Sequence, residues 1–190
     1  MGKFRRTGSK AMTQDARLKQ TENLTLSIYE ITKILFADVY SISVNYDSEE
    51  FDPDDRKDDS ETPIVKWVDV WPIIEGMSTG GRHLVQFNAW TRKENDPQRM
   101  IARQTIDKLM AAFDPQISAP SNHAVYDYSV PATPAVVPGD RIIIMSSSGR
   151  VGRPEPESLE AIEHPDNPET FHGIKVDFSF RLASDFATQP

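Results

Sequence analysis

From Ile174 to Leu182 apolar side chains take every second position: Ile174, Val176, Phe178, Phe180 and Leu182 alternate with Lys175, Asp177, Ser179 and Arg181. A period of two belongs to a β-strand, because successive side chains leave a pleated backbone on opposite faces. Such a strand needs a core against one face and presents a charged, solvated or partner-facing row on the other. The chain is therefore expected to build a sheet and to cover one side of it.

The cover is legible upstream. Leu24, Ile28, Ile31 and Leu35 recur at spacings of four, three and four, which places them on one side of a helix over 21–37. A second helix is expected over 97–113, with Asp96 as N-cap, Pro97 in the first helical position, and Ile106, Leu109, Met110 and Phe113 on one face. Between the helices, Ile42, Val44 and Tyr46 alternate with serines and asparagine in a strand over 39–46. The β-rich runs 63–71 and 83–90, separated by a glycine-rich turn, read as an antiparallel hairpin. At Pro72 regular pairing should stop or bulge. Trp67 and Trp71, four apart, should share one face, with core or sheet packing as their ordinary role.

The remaining stretches read as loop. Residues 115–140 carry five prolines and read as an extended excursion, 141–145 as a short apolar strand, and 146–168 as a further loop. The expected plan is α+β: an antiparallel β-sheet with amphipathic helices packed on one face and long proline-rich loops. A flexible basic arm over 1–20 precedes one domain over 21–186, which contains an acidic loop at 47–61 and a loop insertion at 147–170.

Composition narrows the possible functions. With 190 residues the chain can form one domain with a sizeable core, and without a cysteine it has no disulfide, thiolate metal site or cysteine nucleophile. Folding in a reducing cytoplasm is expected. No apolar run approaches the roughly 18 residues that span a bilayer, and the basic start leads into polar residues and not into the apolar region of a signal peptide. The net charge of −8 argues against a surface that grips nucleic acid. Nine acidic residues between Asp47 and Glu61, against Arg56 and Lys57, supply most of that excess. In a ring of copies, such segments would line a channel or rim with negative potential and let DNA pass without sticking.

No catalytic pattern emerges. No glycine-rich loop closes on Lys-Ser/Thr, and Gly149-Arg150-Val151-Gly152-Arg153 leads to prolines instead of a helix; a mobile loop is its ordinary reading, and a phosphate or acidic-partner contact its functional one. His83, His123, His164 and His172 are scattered without ligand spacing. Ser146–Ser148 lack the context of a nucleophile elbow. Asp52–Asp59 lacks the central glycine and closing glutamate of a calcium loop, and a solvated loop explains it. Catalytic, cofactor and metal residues are accordingly none.

Taken in order, the helix ending Ile31-Thr32-Lys33-Ile34-Leu35, the strand Ser43-Val44-Asn45-Tyr46-Asp47 entering the acidic run, the Trp-containing hairpin, helix 97–113 and the closing strand Gly173–Arg181 resemble the tail terminator proteins of long-tailed bacteriophages. The resemblance covers about residues 21–186. It implies a structural virion subunit and no enzyme: a ring, typically hexameric, that caps the tail tube and joins it to the neck of the DNA-filled head. Implied partners are further copies of the chain, the tail tube protein and a neck or head-completion protein, with DNA only passing through and no membrane. Implied localisation is the virion, after assembly in host cytoplasm. Expected interface residues are Asp54, Asp55, Asp58, Asp59, Arg150, Arg153, Lys175 and Arg181. Another neck connector, or an unrelated soluble enzyme or ligand-binding module, are the alternatives.

The acidic segment yields a first test. Its carboxylates repel one another and Phe51 is nearly its only apolar residue, so changing Asp54, Asp55, Asp58 and Asp59 to Asn should leave the melting temperature unchanged or slightly higher. Calorimetry of the quadruple variant checks this; a large loss would mean that the charges are held in buried pairs.

Overall fold

The alternating strand proves longer than its apolar pattern and bonded along both edges. The structure, a computed structural model, describes residues 14–46, 65–73, 83–113, 124–130, 132–145 and 158–182. In chain order the elements are α1 (Gln14–Lys33), continued by a π-helical turn Ile34–Val39, then β1 (Ser43–Tyr46), β2 (Lys66–Ile73), β3 (His83–Arg92), α2 (Met100–Phe113), β4 (Ala124–Asp127), β5 (Ala135–Met145), β6 (Ser158–Glu163) and β7 (Phe171–Leu182).

The strands form one curled, mixed sheet in the order β1-β2-β3-β7-β5-β4, an α+β arrangement. One edge of β7 pairs with β3 from His83↔Phe180 to Arg92↔Phe171. Two strands share the other edge end to end: β6 from Ser158↔Asp177 to Glu163↔His172, and β5 from Ile142↔Leu182 to Met145↔Ser179.

Side-chain parity then separates the two faces. Val68 and Val70 of β2, Val85, Phe87 and Ala89 of β3, and Ile174, Val176, Phe178, Phe180 and Leu182 of β7 are buried in one core with Leu24, Ile28 and Ile31 of α1 and Ala102, Ile106, Leu109 and Phe113 of α2. Within it Phe87, Phe113, Phe178 and Phe180 meet edge-on or tilted, with Phe113 and Phe180 centroids 5.2 Å apart. Each fully buried side chain of this size contributes about 1.5–3 kcal/mol, so packing can hold the fold without disulfides. Both helices lie on this face, as expected.

Helix α1 also bridges the ends of the sheet. Its Ser27 Oγ accepts the Tyr126 amide at 2.9 Å and its Asn23 Oδ1 accepts the Tyr128 amide at 3.1 Å, so polar helix side chains cap the outward N–H groups of β4 and of the residue that follows it. At the opposite border Tyr46 Oη donates to the Tyr29 carbonyl at 2.8 Å, and the two rings pack with centroids 4.6 Å apart. An edge strand left open is a template for unwanted pairing, and here the last strand is closed by a helix.

Several expectations need correction. The sheet is not wholly antiparallel: β1 pairs parallel to β2 from Ser43↔Trp67 to Tyr46↔Val70. A parallel pair requires a crossover of a dozen residues or more, and the stretch joining β1 to β2 is long enough to make one. Helix α1 begins at Gln14 and not at Thr21, because Ala16, Arg17, Leu18, Lys19 and Gln20 favour helix without showing a periodic face. The first strand begins at Ser43 because residues 39 and 40 finish the helix. The π-helical turn slips the helical phase by one residue, which buries Phe36 fully and leaves Leu35 partly exposed.

Pairing runs past Pro72 to Ile73↔Leu84. The excursion 115–140 contains β4 and the first half of β5, and the insertion 147–170 contains β6. Pro138 is tolerated in β5 because the β4–β5 ladder is irregular there, stepping from Tyr126↔Val136 to Ala124↔Arg141. The acidic loop 47–61, arm residues 1–13 and the remaining proline-rich stretches lie outside the described residues.

The start of α2 is also shifted, to Met100. Arg99 has φ 56°, so the chain breaks before the helix, yet Asp96 still caps it: its Oδ2 accepts the Ile101 amide at 2.9 Å and the Ala102 amide at 3.1 Å, with Thr91 Oγ1 donating at 3.1 Å. Asp96→Ala strips three donors of their partner and should cost about 2 kcal/mol, whereas Ser27→Ala strips one and should cost about 1 kcal/mol. Urea unfolding of both variants checks the ranking, and faster amide exchange at Tyr126 should mark Ser27→Ala alone.

Candidate functional site

The helix-free face of the sheet carries its side chains in registered rows. One row runs Ser43, Trp67, Trp90, Gly173, Ile162; the next runs Asn45, Asp69, Asn88, Lys175, Glu160; a third runs Trp71, Gln86, Asp177, Ser158. An apolar row thus adjoins two polar ones. Asn45, Asp69 and Asn88 are nonetheless buried.

The aromatic row forms a second small core. Trp67 and Trp90 stack with centroids 6.1 Å apart, Phe171 meets Trp67 edge-on at 5.1 Å, and His164, just after β6, packs against all three rings, closest to Trp90 at 5.0 Å. The backbone of Gly173 lies under Trp90: a Cβ at 173 would stand 2.5 Å from the Ala89 carbonyl oxygen and 2.8 Å from Trp90 Cε3. Only glycine lets β7 approach so closely.

Asp69 is the centre of the polar row. Trp90 Nε1–H donates to Asp69 Oδ2 at 2.6 Å and Asn45 Nδ2–H donates to Asp69 Oδ1 at 3.1 Å. Burial nevertheless dominates and raises the Asp69 pKa above its ordinary value, against those two hydrogen bonds and the nearby His164. The Asn45 Oδ1 atom is buried without a hydrogen-bond partner, as is Asp177 Oδ1, whose other oxygen accepts from Ser158 Oγ at 2.6 Å. Asp69 is therefore a buried acceptor that ties β1, β2 and β3 together.

At the same end of the sheet, Glu163 takes Lys93 at 2.8 Å and also Arg99, which ties β6 to the turn before α2. The Lys93 hydrogen bond leads the effects that hold the Glu163 carboxyl below its usual range. His172 is buried under that turn, with Nε2 2.7 Å from the Asp96 carbonyl oxygen. Among the described residues no three His, Asp or Glu side chains are grouped to hold a metal, and no helix is long and apolar enough to cross a membrane.

Of the residues expected at an interface, Lys175 and Arg181 both stand on the helix-free side of β7, half-buried, with Lys175 Nζ 3.7 Å from Glu160. Asp54, Asp55, Asp58, Asp59, Arg150 and Arg153 lie outside the described residues. The outward face of β7 is less open than alternation implied, since Phe171, Gly173 and Ser179 are buried there. Sequence reasoning missed Asp69, although a lone carboxylate between Val68 and Val70 and flanked by Trp67 and Trp71 is a signal: a charge inside a β-rich run needs donors.

No protein-family model and no curated protein matches this chain. One solved structure, 15% identical over 90% of this chain and 96% of its own, superposes with a TM-score of 0.41. That likeness carries no argument about fold or role.

The raised pKa gives a signed prediction. Because folding raises the Asp69 pKa, its contribution to stability is full below the unfolded value near 3.8 and is lost as pH rises through the folded value. Asp69→Asn removes that slope. Its new amide can donate to Asn45 Oδ1 after an amide flip, while its oxygen still accepts from Trp90. Melting temperatures from pH 4 to pH 8 should fall less for Asp69→Asn than for the native chain. Asp69→Ala should instead lose about 1–3 kcal/mol throughout, because it leaves Trp90 Nε1 and Asn45 without an acceptor.

Proposed function

We propose that this chain is a structural subunit of a tailed bacteriophage, a ring-forming tail terminator that caps the tail tube and joins it to the neck. The observation that carries this reading is the succession of elements: α1, a short β1 entering the acidic stretch, the Trp-bearing β2–β3 hairpin, α2 and the long β7 follow in the order on which the resemblance rests. The charge distribution supports it as well. A segment with nine carboxylates placed between β1 and β2 would give a ring of copies a negative rim that repels DNA phosphates. The half-buried Lys175 and Arg181 serve mainly the subunit's own sheet on this reading, which leaves Arg150 and Arg153 as the preferred cationic contacts for a partner.

Imaging tests the proposal. The purified full-length chain, alone and mixed with tail tubes, should show closed rings or caps at tube ends by negative stain, and Arg150→Glu with Arg153→Glu should weaken attachment while leaving the melting temperature in place. A particle that stays monomeric at high concentration and ignores tail tubes would sink the reading.

A further inference from the structure

Strand β6 is paired on one edge only, the edge that meets β7. His164 continues this ladder by donating its amide to the Phe171 carbonyl at 3.3 Å, and bonded residues alternate along an antiparallel pair. The amides of Ser158, Glu160 and Ile162 therefore turn to β7, and those of Leu159, Ala161 and Glu163 turn outward. Among the described residues no backbone group bonds to that outward row. At β4 helix side chains take the outer amides; β6 has no such cover. Leu159 and Ala161 stand opposite Val176 and Ile174 on the core side of the sheet. Yet both are exposed, Leu159 by 44%, whereas Val176 is fully buried. The strand thus carries the face of a core strand without a neighbour beyond it.

We infer that β6 receives an added strand from a second copy of the chain, and that the basic segment Lys3–Thr7 supplies it. An open row of N–H and C=O groups takes an extended segment. Charge selects which one. From Glu155 to Glu169 the chain has six carboxylates and no Lys or Arg. Lys93 and Arg99 hold Glu163, but Lys175 stands 3.7 Å from Glu160, and Asp166 and Glu169 are exposed without an ion pair among the described residues. Two β6 edges laid together would set like charges side by side, which disfavours symmetric pairing. Before Asp15, by contrast, the chain carries Lys3, Arg5, Arg6 and Lys10 and no Asp or Glu. The period matches too: in an added strand Phe4 falls on the face opposite to Lys3 and Arg5, so it can cover Leu159 and Ala161 while they flank Glu160.

Reach makes the donor a different copy. Lys19 of α1 meets Asp127, which pairs with Ala135 at the far end of β5. From there β5 runs 11 residues to Met145, whose partner Ser179 lies two residues beyond Asp177, the partner of Ser158. At the usual rise per residue, the near end of β6 is roughly 40 Å from the start of α1. Arg5 precedes Gln14 by nine residues, at most about 32 Å of chain, and so falls short of β6 in its own copy. A segment of one copy set on a different surface of the next is a head-to-tail contact, the kind that closes rings. The inference rests on the ring reading above and supplies its joint.

The test uses the full-length chain in two variants. Lys3→Glu with Arg5→Glu and Arg6→Glu alters the donated segment. Ala161→Pro removes an outward amide that the chain's own sheet does not use, so the melting temperature should hold. By sedimentation velocity, or by negative stain where rings form only on tail tubes, each variant alone should associate at least about tenfold more weakly than the native chain. Mixed together the two should pair, because each supplies the half that the other lacks, and the pairs should not grow into rings. If Ala161→Pro disturbs folding, Glu160→Lys takes its place in the same mixture. Variants that associate like the native chain, or a mixture that fails to pair, overturn the inference and leave the ring reading standing. Slow exchange of the Ala161 amide in a native monomer would mean that the edge is closed within one copy, which also overturns it. A native chain that neither associates nor caps tubes removes both.

Discussion

Strand β7 is hydrogen-bonded on both sides for most of its length, and the rest of the molecule is registered against it. Its β3 edge carries the β2–β3 hairpin and, through β2, the parallel β1. Its other edge is divided between β6 and β5, and β5 brings β4. Because a slip of one residue would exchange the two faces of a strand, the five apolar side chains of β7 fix which face of every neighbour meets the helices. Contacts between residues far apart in sequence hold this plan together, so it can form only once both ends of the chain are present.

Helix α1 follows from that curl. A sheet that bends without closing into a barrel leaves two borders, and α1 is bonded to both, through Asn23 and Ser27 at β4 and through Tyr29 at β1. Small polar residues on an otherwise buried helix face would be a liability elsewhere. Here they take up backbone donors that would otherwise be free to recruit a foreign strand. The outward amides at the β4 border are thereby taken up within the chain itself.

The parts of the fold legible in the sequence were those governed by local period. The faces of α1, α2 and β7 follow from spacing alone, as does the hairpin of β2 and β3, because burial on one side imposes the pattern directly. What stayed hidden was set by distant partners. Ser158–Glu163 has no alternating apolar face and becomes a strand because β5 leaves half of one β7 edge unpaired. Ala124–Asp127 is too short to show a period, and its outer amides depend on a helix about a hundred residues upstream. Asp96 was readable as a cap, but the break at Arg99 that moves the helix start was not. In the helix-free face, Trp67 was visible as a sheet-packing aromatic, while the buried acceptor Asp69 could be recognised only once β1 and β3 placed Asn45 and the Trp90 N–H against it.

Gly173 bears on how such a sequence can diverge. An added Cβ would meet two obstacles of different kinds: the Trp90 ring could be replaced by something smaller, but the Ala89 carbonyl oxygen belongs to the backbone of β3 and would remain. No compensating change at position 90 alone can therefore admit a larger residue at 173. Lineages carrying this sheet are free to trade aromatic for aliphatic packing around Trp67 and Trp90, yet they are confined to glycine at the one point where the central strand touches its neighbour's main chain.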